Sequence, residues 1–181
     1  MDNERRFAMS SKMKCVLVVA VALLITPLFA LIAAAATLDL PDGAKLDLSV
    51  PCPVCGMKPE ESKLGPAAAV FKDGKVIGFD APGDMFRYVL DPKKYGFDAG
   101  NVKDLFVTEH GTKNFIDAKK ALYVVGSDVT GDMGPEVVPF SKKEDAEKFK
   151  SEHHGKNVAS YIQITLDDLA SKKKMLKLLA A

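Results

Sequence analysis
The stretch Pro51-Cys52-Pro53-Val54-Cys55-Gly56-Met57 sets two thiols and a thioether within six positions. The chain holds 3 cysteines, and the third, Cys15, lies far upstream. Sulfur crowded on one turn admits three chemistries: a disulfide staple, a redox couple, or a clasp for a soft metal. A Cys52–Cys55 bridge closes a very short loop and takes little entropy from the unfolded chain, so it is a weak staple. A redox couple needs a C-x-x-C turn that feeds a helix, whose N-terminus lowers the thiol pKa. Here Gly56-Met57-Lys58-Pro59 follows, which is loop chemistry. Structural zinc calls for four Cys or His ligands, usually as two pairs. There is no second pair, and His110, His153 and His154 have no matching spacing. Cuprous ion fits best. Thiolate and thioether are soft donors that select it, and Gly56 lets the backbone turn Met57 back toward Cys55. The staple and the redox couple stay open on these residues alone.

A second stretch, Gly126 to Glu136, reads GSDVTGDMGPE. Its Met133 sits in a glycine-rich loop, so neither strand nor helix core claims it. It can approach a metal or pack over a strand end.

The amino terminus decides where such chemistry would take place. Arg5, Arg6, Lys12 and Lys14 precede an uncharged run from Val16 to Ala36 that ends in small residues. A basic flank, an apolar stretch and an A-x-A-like end read as an export signal. The stretch is also about long enough to cross a bilayer once. Segment 1–36 is therefore either a signal cleaved after Ala36 or an uncleaved anchor. Both versions leave the basic flank in the cytoplasm and everything after residue 36 outside, in the periplasm or on the membrane's outer face. Cys15 precedes the apolar run and reads as an incidental cytosolic thiol. Outside the membrane unprotected thiols drift toward disulfides, so Cys52 and Cys55 need a bridge, a redox partner or a metal. Lys+Arg at 25 against Asp+Glu at 24 gives a net charge of +1, without the basic field that recruits nucleic acid.

The elements that must position the sulfur turn follow from pattern. In 37–50, a polar spacer or lead-in strand, Leu38, Leu40, Leu46, Leu48 and Val50 alternate with polar neighbours. Ala67 to Phe71 and Val76 to Phe79 flank Lys72-Asp73-Gly74-Lys75, a hairpin signal in which both central residues tolerate positive φ. Asp80 is placed to cap a helix over Pro82–Leu90, stopped by Asp91-Pro92. Asp104–Thr108 is the next strand. The order strand, strand, helix, strand then recurs: Lys120–Val125, Val137–Phe140, a helix capped by Ser141 with Glu144 in a capping box, and Asn157–Ile164. Laying Phe79-Asp80 over Phe140-Ser141 aligns Asp84 with Asp145, Arg87 with Lys148 and Tyr88 with Phe149. The expected fold is α+β, two small ββαβ units over 51–118 and 119–164 that pack together, since neither buries a large core alone. Residues 165–181 read as an amphipathic helix capped by Thr165.

Three stretches now carry a resemblance: CPVCGM, then FKDGKVIGFDAPGDMFRYV, then FVTEHGTKNFIDAKKALYVVGSDVTGDMGPEVVPFSKKEDAEKF. Together, from Cys52 to Ile164, they resemble the NosL family of nitrous oxide reductase accessory proteins. The resemblance implies two ββαβ units and an extracytoplasmic Cu(I) chaperone that is not an enzyme. It also implies partners that donate and accept copper, with delivery toward nitrous oxide reductase. Carried over by position, it makes Cys55, Met57 and Met133 ligands, with Cys52 an additional donor. Two departures stand out. Many members are lipoproteins anchored through a cysteine, and no such cysteine follows the apolar run here. Many carry histidine where Pro135 stands, which points to an all-sulfur site. CPVCGM also opens YHS heavy-metal domains, but those need a further cysteine and none follows Cys55. The alternative from another class is a membrane-tethered thiol-disulfide oxidoreductase using Cys52 and Cys55.

Overall fold
Five consecutive buried residues, Ala67–Phe71, form the strand on which the first half of the molecule is built. A strand presents alternate side chains to opposite faces, so an unbroken apolar run implies cover on both. The computed structural model describes residues 36–170 and supplies that cover. The apolar leader with Cys15 and the tail from Ser171 lie outside the described residues. Ala67, Ala69 and Phe71 enter the main core. Ala68 and Val70 enter a second cluster with Leu40, Leu46 and Phe106. The second cluster lies under a lead-in hairpin of β1 (Thr37–Asp39) and β2 (Lys45–Asp47), with Leu38 opposite Leu46. Residues 37–50 thus include a paired hairpin that roofs one face of the sheet.

The order strand, strand, helix, strand does occur twice. The first sheet runs β4–β3–β5–β6, from β3 (Ala67–Phe71), β4 (Val76–Phe79), β5 (Val102–Thr108) and β6 (Phe115–Asp117). Helix α1 (Pro82–Leu90) follows β4, and a short α2 (Pro92–Tyr95) follows it. The second sheet runs β10–β7–β11, where β7 is Leu122–Val125, β10 is Val138–Phe140 and β11 is Asn157–Ser160. Between β7 and β10 a small hairpin pairs β8 (Thr130–Gly131) with β9 (Gly134–Pro135). Helix α3 (Lys143–Glu152) lays Ala146 and Phe149 on Val124, Val138 and Phe140.

Several local expectations are corrected. Asp80 does not cap α1: the cap position is Ala81, with no side-chain bond, while Asp80 is 4% exposed in the interior. Ser141 does not cap α3 either; Lys142 stands at that position, and Ser141 donates from its amide and its hydroxyl to Glu109. In the β3–β4 turn only Gly74 takes positive φ, and Asp73 instead accepts from the Lys75 amide. The last strand ends at Ser160, where a capping box with Gln163 starts one 3-10 turn. Leu166 to Leu169 form turns within the described residues, with the Leu169 side chain buried.

The two halves share the main core. Phe86 of α1 meets Tyr123 of β7 edge to face at 5.0 Å and Tyr161 at 5.3 Å. Backbone ties join them too: the His110 amide donates to the Pro139 carbonyl at 2.9 Å. Truncating a buried phenylalanine costs about 3–5 kcal/mol. Phe86→Ala is therefore expected to destabilise both halves together. Urea unfolding followed by far- and near-ultraviolet dichroism should give one transition with a lowered midpoint. Two separated transitions would show that the halves do not share a core.

Candidate metal centre
The sulfur turn is closed by its own backbone. The Cys52 amide donates to the Met57 carbonyl at 2.7 Å, and the Gly56 amide donates to the Cys52 carbonyl at 2.9 Å. Gly56 takes φ +81, a conformation that side chains with a β-carbon rarely adopt. The loop folds two more amides onto sulfur. Val54 N–H lies 3.4 Å from Cys52 Sγ, and Met57 N–H lies 3.5 Å from Cys55 Sγ. Donors aimed at sulfur favour its thiolate form.

Facing the turn are two carboxylates that the next elements deliver. Asp80 leaves the end of β4, and its Oδ1 accepts from Cys55 Sγ at 3.0 Å. Asp84 sits in the first turn of α1, and its Oδ2 accepts from Cys52 Sγ at 3.7 Å. One ligand atom from each of Cys52, Cys55, Asp80 and Asp84 lies within 4.8 Å of the others. Cys52, Asp80 and Asp84 are buried and Cys55 is half-buried, so one sulfur faces outward. Neither cysteine is bridged.

The electrostatics of this cluster are those of buried acids with one cation, Arg87, on the Asp84 side. Burial pushes the Cys52 thiol up, against the pull of the backbone amides around it. Burial, followed by hydrogen bonds to Asp80 and Asp84, pushes Cys55 far above the usual thiol range. Burial and the neighbouring Asp80 raise Asp84, with Arg87 opposing them. Burial is the first cause for Cys52, Cys55 and Asp84, and the acidic neighbours add to it. A cation placed among them reverses that balance.

Arg87 supplies a partial answer from one side. Its Nη1 donates to Asp84 Oδ1 at 2.7 Å and reaches Glu136 Oε1 at 3.4 Å. Its Nη2 donates to the carbonyls of Pro135 at 3.2 Å and Leu169 at 3.1 Å. Glu136 is 1% exposed and accepts from the Gly83 amide at 2.8 Å. Burial carries its pKa up to about 7, with Arg87 and that amide pulling the other way. A β-carbon at Gly83 would press on the Glu136 carboxylate, which would have to shift to admit it.

Of the four residues singled out from sequence, Cys52 and Cys55 converge. Met57 follows directly and is half-buried. Met133 lies at the tip of the β8–β9 hairpin, 50% exposed, on a cavity of ≈ 290 Å³ also lined by Arg87. Asp80, Asp84, Arg87 and Glu136 were missed. The signal for Asp80 was present but read as a helix cap, and the all-sulfur expectation left no place for carboxylates. The histidines keep other company: His153 stacks on Phe149 at 4.1 Å and meets Asp128 at 3.0 Å, and His110 packs on the same ring at 4.8 Å.

The donor set tests well against a soft monovalent ion. Two thiolates at a turn would supply the soft donors such an ion selects, and the carboxylates, which accept the thiol hydrogens here, would not have to ligate.

Comparisons with known proteins identify the family. Residues 44–169 match the NosL family model. The copper-binding lipoprotein NosL of Achromobacter cycloclastes is 36% identical over 95 residues, covering 47% of this chain and 49% of that protein. The copper-binding lipoprotein NosL of Stutzerimonas stutzeri is 31% identical over 113 residues, 58% of this chain and 57% of that protein. The chain thus spans about half the length of the curated relatives it matches. The crystal structure of the copper chaperone NosL from Shewanella denitrificans superposes with a TM-score of 0.55 at 33% identity, over 66% of this chain and 92% of that one. With the family's pattern running from the lead-in hairpin through both sheets to the last buried leucine, the chain belongs to the NosL family.

Proposed function
We propose that this protein is an extracytoplasmic Cu(I) chaperone, with Cys52 and Cys55 as the principal ligands. The observation that carries the reading is the pair of thiols held against two buried carboxylates within 4.8 Å. Uptake is a proton-for-metal exchange: each thiol loses its proton, a sulfur–copper bond forms in its place, and copper stays monovalent throughout. Asp80 and Asp84 already accept those two hydrogens, so they mark where the protons leave. Met57 and Met133 add thioether donors. Half-buried Cys55 is the sulfur that a partner's ligand reaches first, and release proceeds by replacing one sulfur at a time.

The relatives' names support copper as cargo, and their designation as lipoproteins supports a site outside the cytoplasmic membrane. The leader 1–36 is the export signal or anchor in this reading. Among the described residues no helix is long and apolar enough to cross a membrane. The partners are copper donors and acceptors, and the family resemblance directs delivery toward nitrous oxide reductase maturation.

Two features weigh against a thiol-disulfide oxidoreductase. An attacking thiol wants a lowered pKa, whereas both thiols here are pushed up. The turn also leads into a single 3-10 turn, Pro59–Glu61, and not into an α-helix N-terminus. A second reading does have an observation behind it: two thiolates and two carboxylates supply the four donors of a zinc site.

Variants separate these readings. Cys55→Ser should weaken Cu(I) binding by orders of magnitude in competition with a chromophoric cuprous chelator, and full stoichiometric binding would retire the proposal. Asp80→Asn and Asp84→Asn should cost cuprous affinity about 10- to 100-fold, as outer partners of the ligands do. If zinc is the native cargo, they should instead abolish tight zinc binding while wild type prefers zinc over Cu(I). The proton exchange predicts a pH profile as well. Both thiols hold their protons near neutrality, so apparent Cu(I) affinity should rise with pH, by up to about a hundredfold per unit when two protons leave. A flat profile between about pH 6 and 8 would contradict thiolate binding.

A further inference from the structure
One guanidinium joins three separated parts of the chain. Arg87 belongs to α1, yet it holds Asp84 of the thiol cluster, the Pro135 carbonyl and Glu136 carboxylate that follow Met133, and the Leu169 carbonyl of the C-terminal turn. Resting on the copper reading, we propose that Arg87 is a positioning residue that fixes the Met133 hairpin against the helix carrying Asp84, so that the methionine can serve as a third sulfur donor.

The hairpin has little else to hold it. Its ladder is two residue pairs, Thr130 with Pro135 and Gly131 with Gly134, and it joins neither of the larger sheets. Its tip makes an exposed ion pair, Lys63–Asp132 at 3.3 Å, of a kind that contributes little. What anchors it is buried: Glu136 takes the Gly83 amide at the start of α1 and shares Arg87 with Asp84. Gly131 lies so close to Glu136 that a β-carbon there would stand 2.9 Å from its Cγ. The hairpin is therefore moulded onto the same carboxylate that Arg87 grips.

Arginine is suited to this task and lysine is not. Four acceptors from three chain segments converge on its planar fork, which offers five N–H donors in fixed directions. A lysine ammonium has three donors and no fixed plane. Met133 and Arg87 line the same cavity, so loosening the fork frees the methionine from its place, while a lysine at 87 keeps a cation beside Asp84.

The test is a double-mutant cycle on the full chain, with Cu(I) affinity read by chelator competition and the melting midpoint recorded for each variant. Arg87→Lys and Met133→Leu should each weaken binding about tenfold, and the double variant should be no weaker than either single one. Such non-additivity is what a shared effect through one methionine produces, and a purely structural arginine would not produce it. Effects that multiply to about a hundredfold in the double variant would overturn the proposal. So would an Arg87→Lys protein with wild-type affinity and only a lowered melting midpoint, or a Met133→Leu protein with wild-type affinity. If Arg87→Lys does not fold, Glu136→Gln, which keeps an oxygen for the Gly83 amide, takes its place in the cycle. A wild-type chain that fails to bind Cu(I) would sink the copper reading itself, an outcome distinct from all of these.

Discussion
Two thiols and two carboxylates share a space 4.8 Å across, and burial makes three of the four reluctant to ionise. Burial in a poorly solvated pocket, joined by the acidic neighbours, raises Cys52, Cys55 and Asp84, and both thiols keep their protons. The metal-free protein holds those protons in hydrogen bonds from Cys55 to Asp80 and from Cys52 to Asp84. The surroundings follow from that constraint. The turn is closed by its own amides, the helix start is buried, and a single arginine is set against the second carboxylate. Breaking such a buried pair costs about 3–5 kcal/mol when one charge is left alone, and for this reason Asp84, Arg87 and Glu136 form one connected group.

The division of labour between the halves is visible at matched positions. Tyr88 and Phe149 are both buried under their sheets, as the alignment of the two helices requires. At the polar positions the halves part: Asp84 and Arg87 turn inward, while Asp145 and Lys148 are exposed. The first half carries the thiols and carboxylates. The second half contributes a scaffold, through Tyr123 against Phe86, and one inserted hairpin that carries Met133 and leads into Glu136, which Arg87 reaches.

Much of this was legible in the residues. The Asp-Gly hairpin, the helix bounds Pro82–Leu90 and the twofold strand, strand, helix, strand order all come from short-range patterns, and the structure has them. What escaped depends on partners distant in sequence. An aspartate just before a helix reads as a cap, and nothing local distinguishes Asp80 from one; its partner, Cys55, is 25 positions away. Ser141 misled in the same way, because its acceptor Glu109 is 32 positions back. Strand β6 went unseen because Phe115–Asp117 is half-buried, at the sheet edge, and too short for alternation to register. Met133 was visible as an unusual loop residue, but its anchorage runs through an ion pair 49 positions long.

X-ray absorption at the copper edge of the Cu(I)-loaded full chain tests the central claim most directly. The account predicts a monovalent edge and a first shell dominated by sulfur, from the two cysteines and at least one methionine. A first shell of oxygen and nitrogen alone, or copper that enters only in the divalent state, would contradict it.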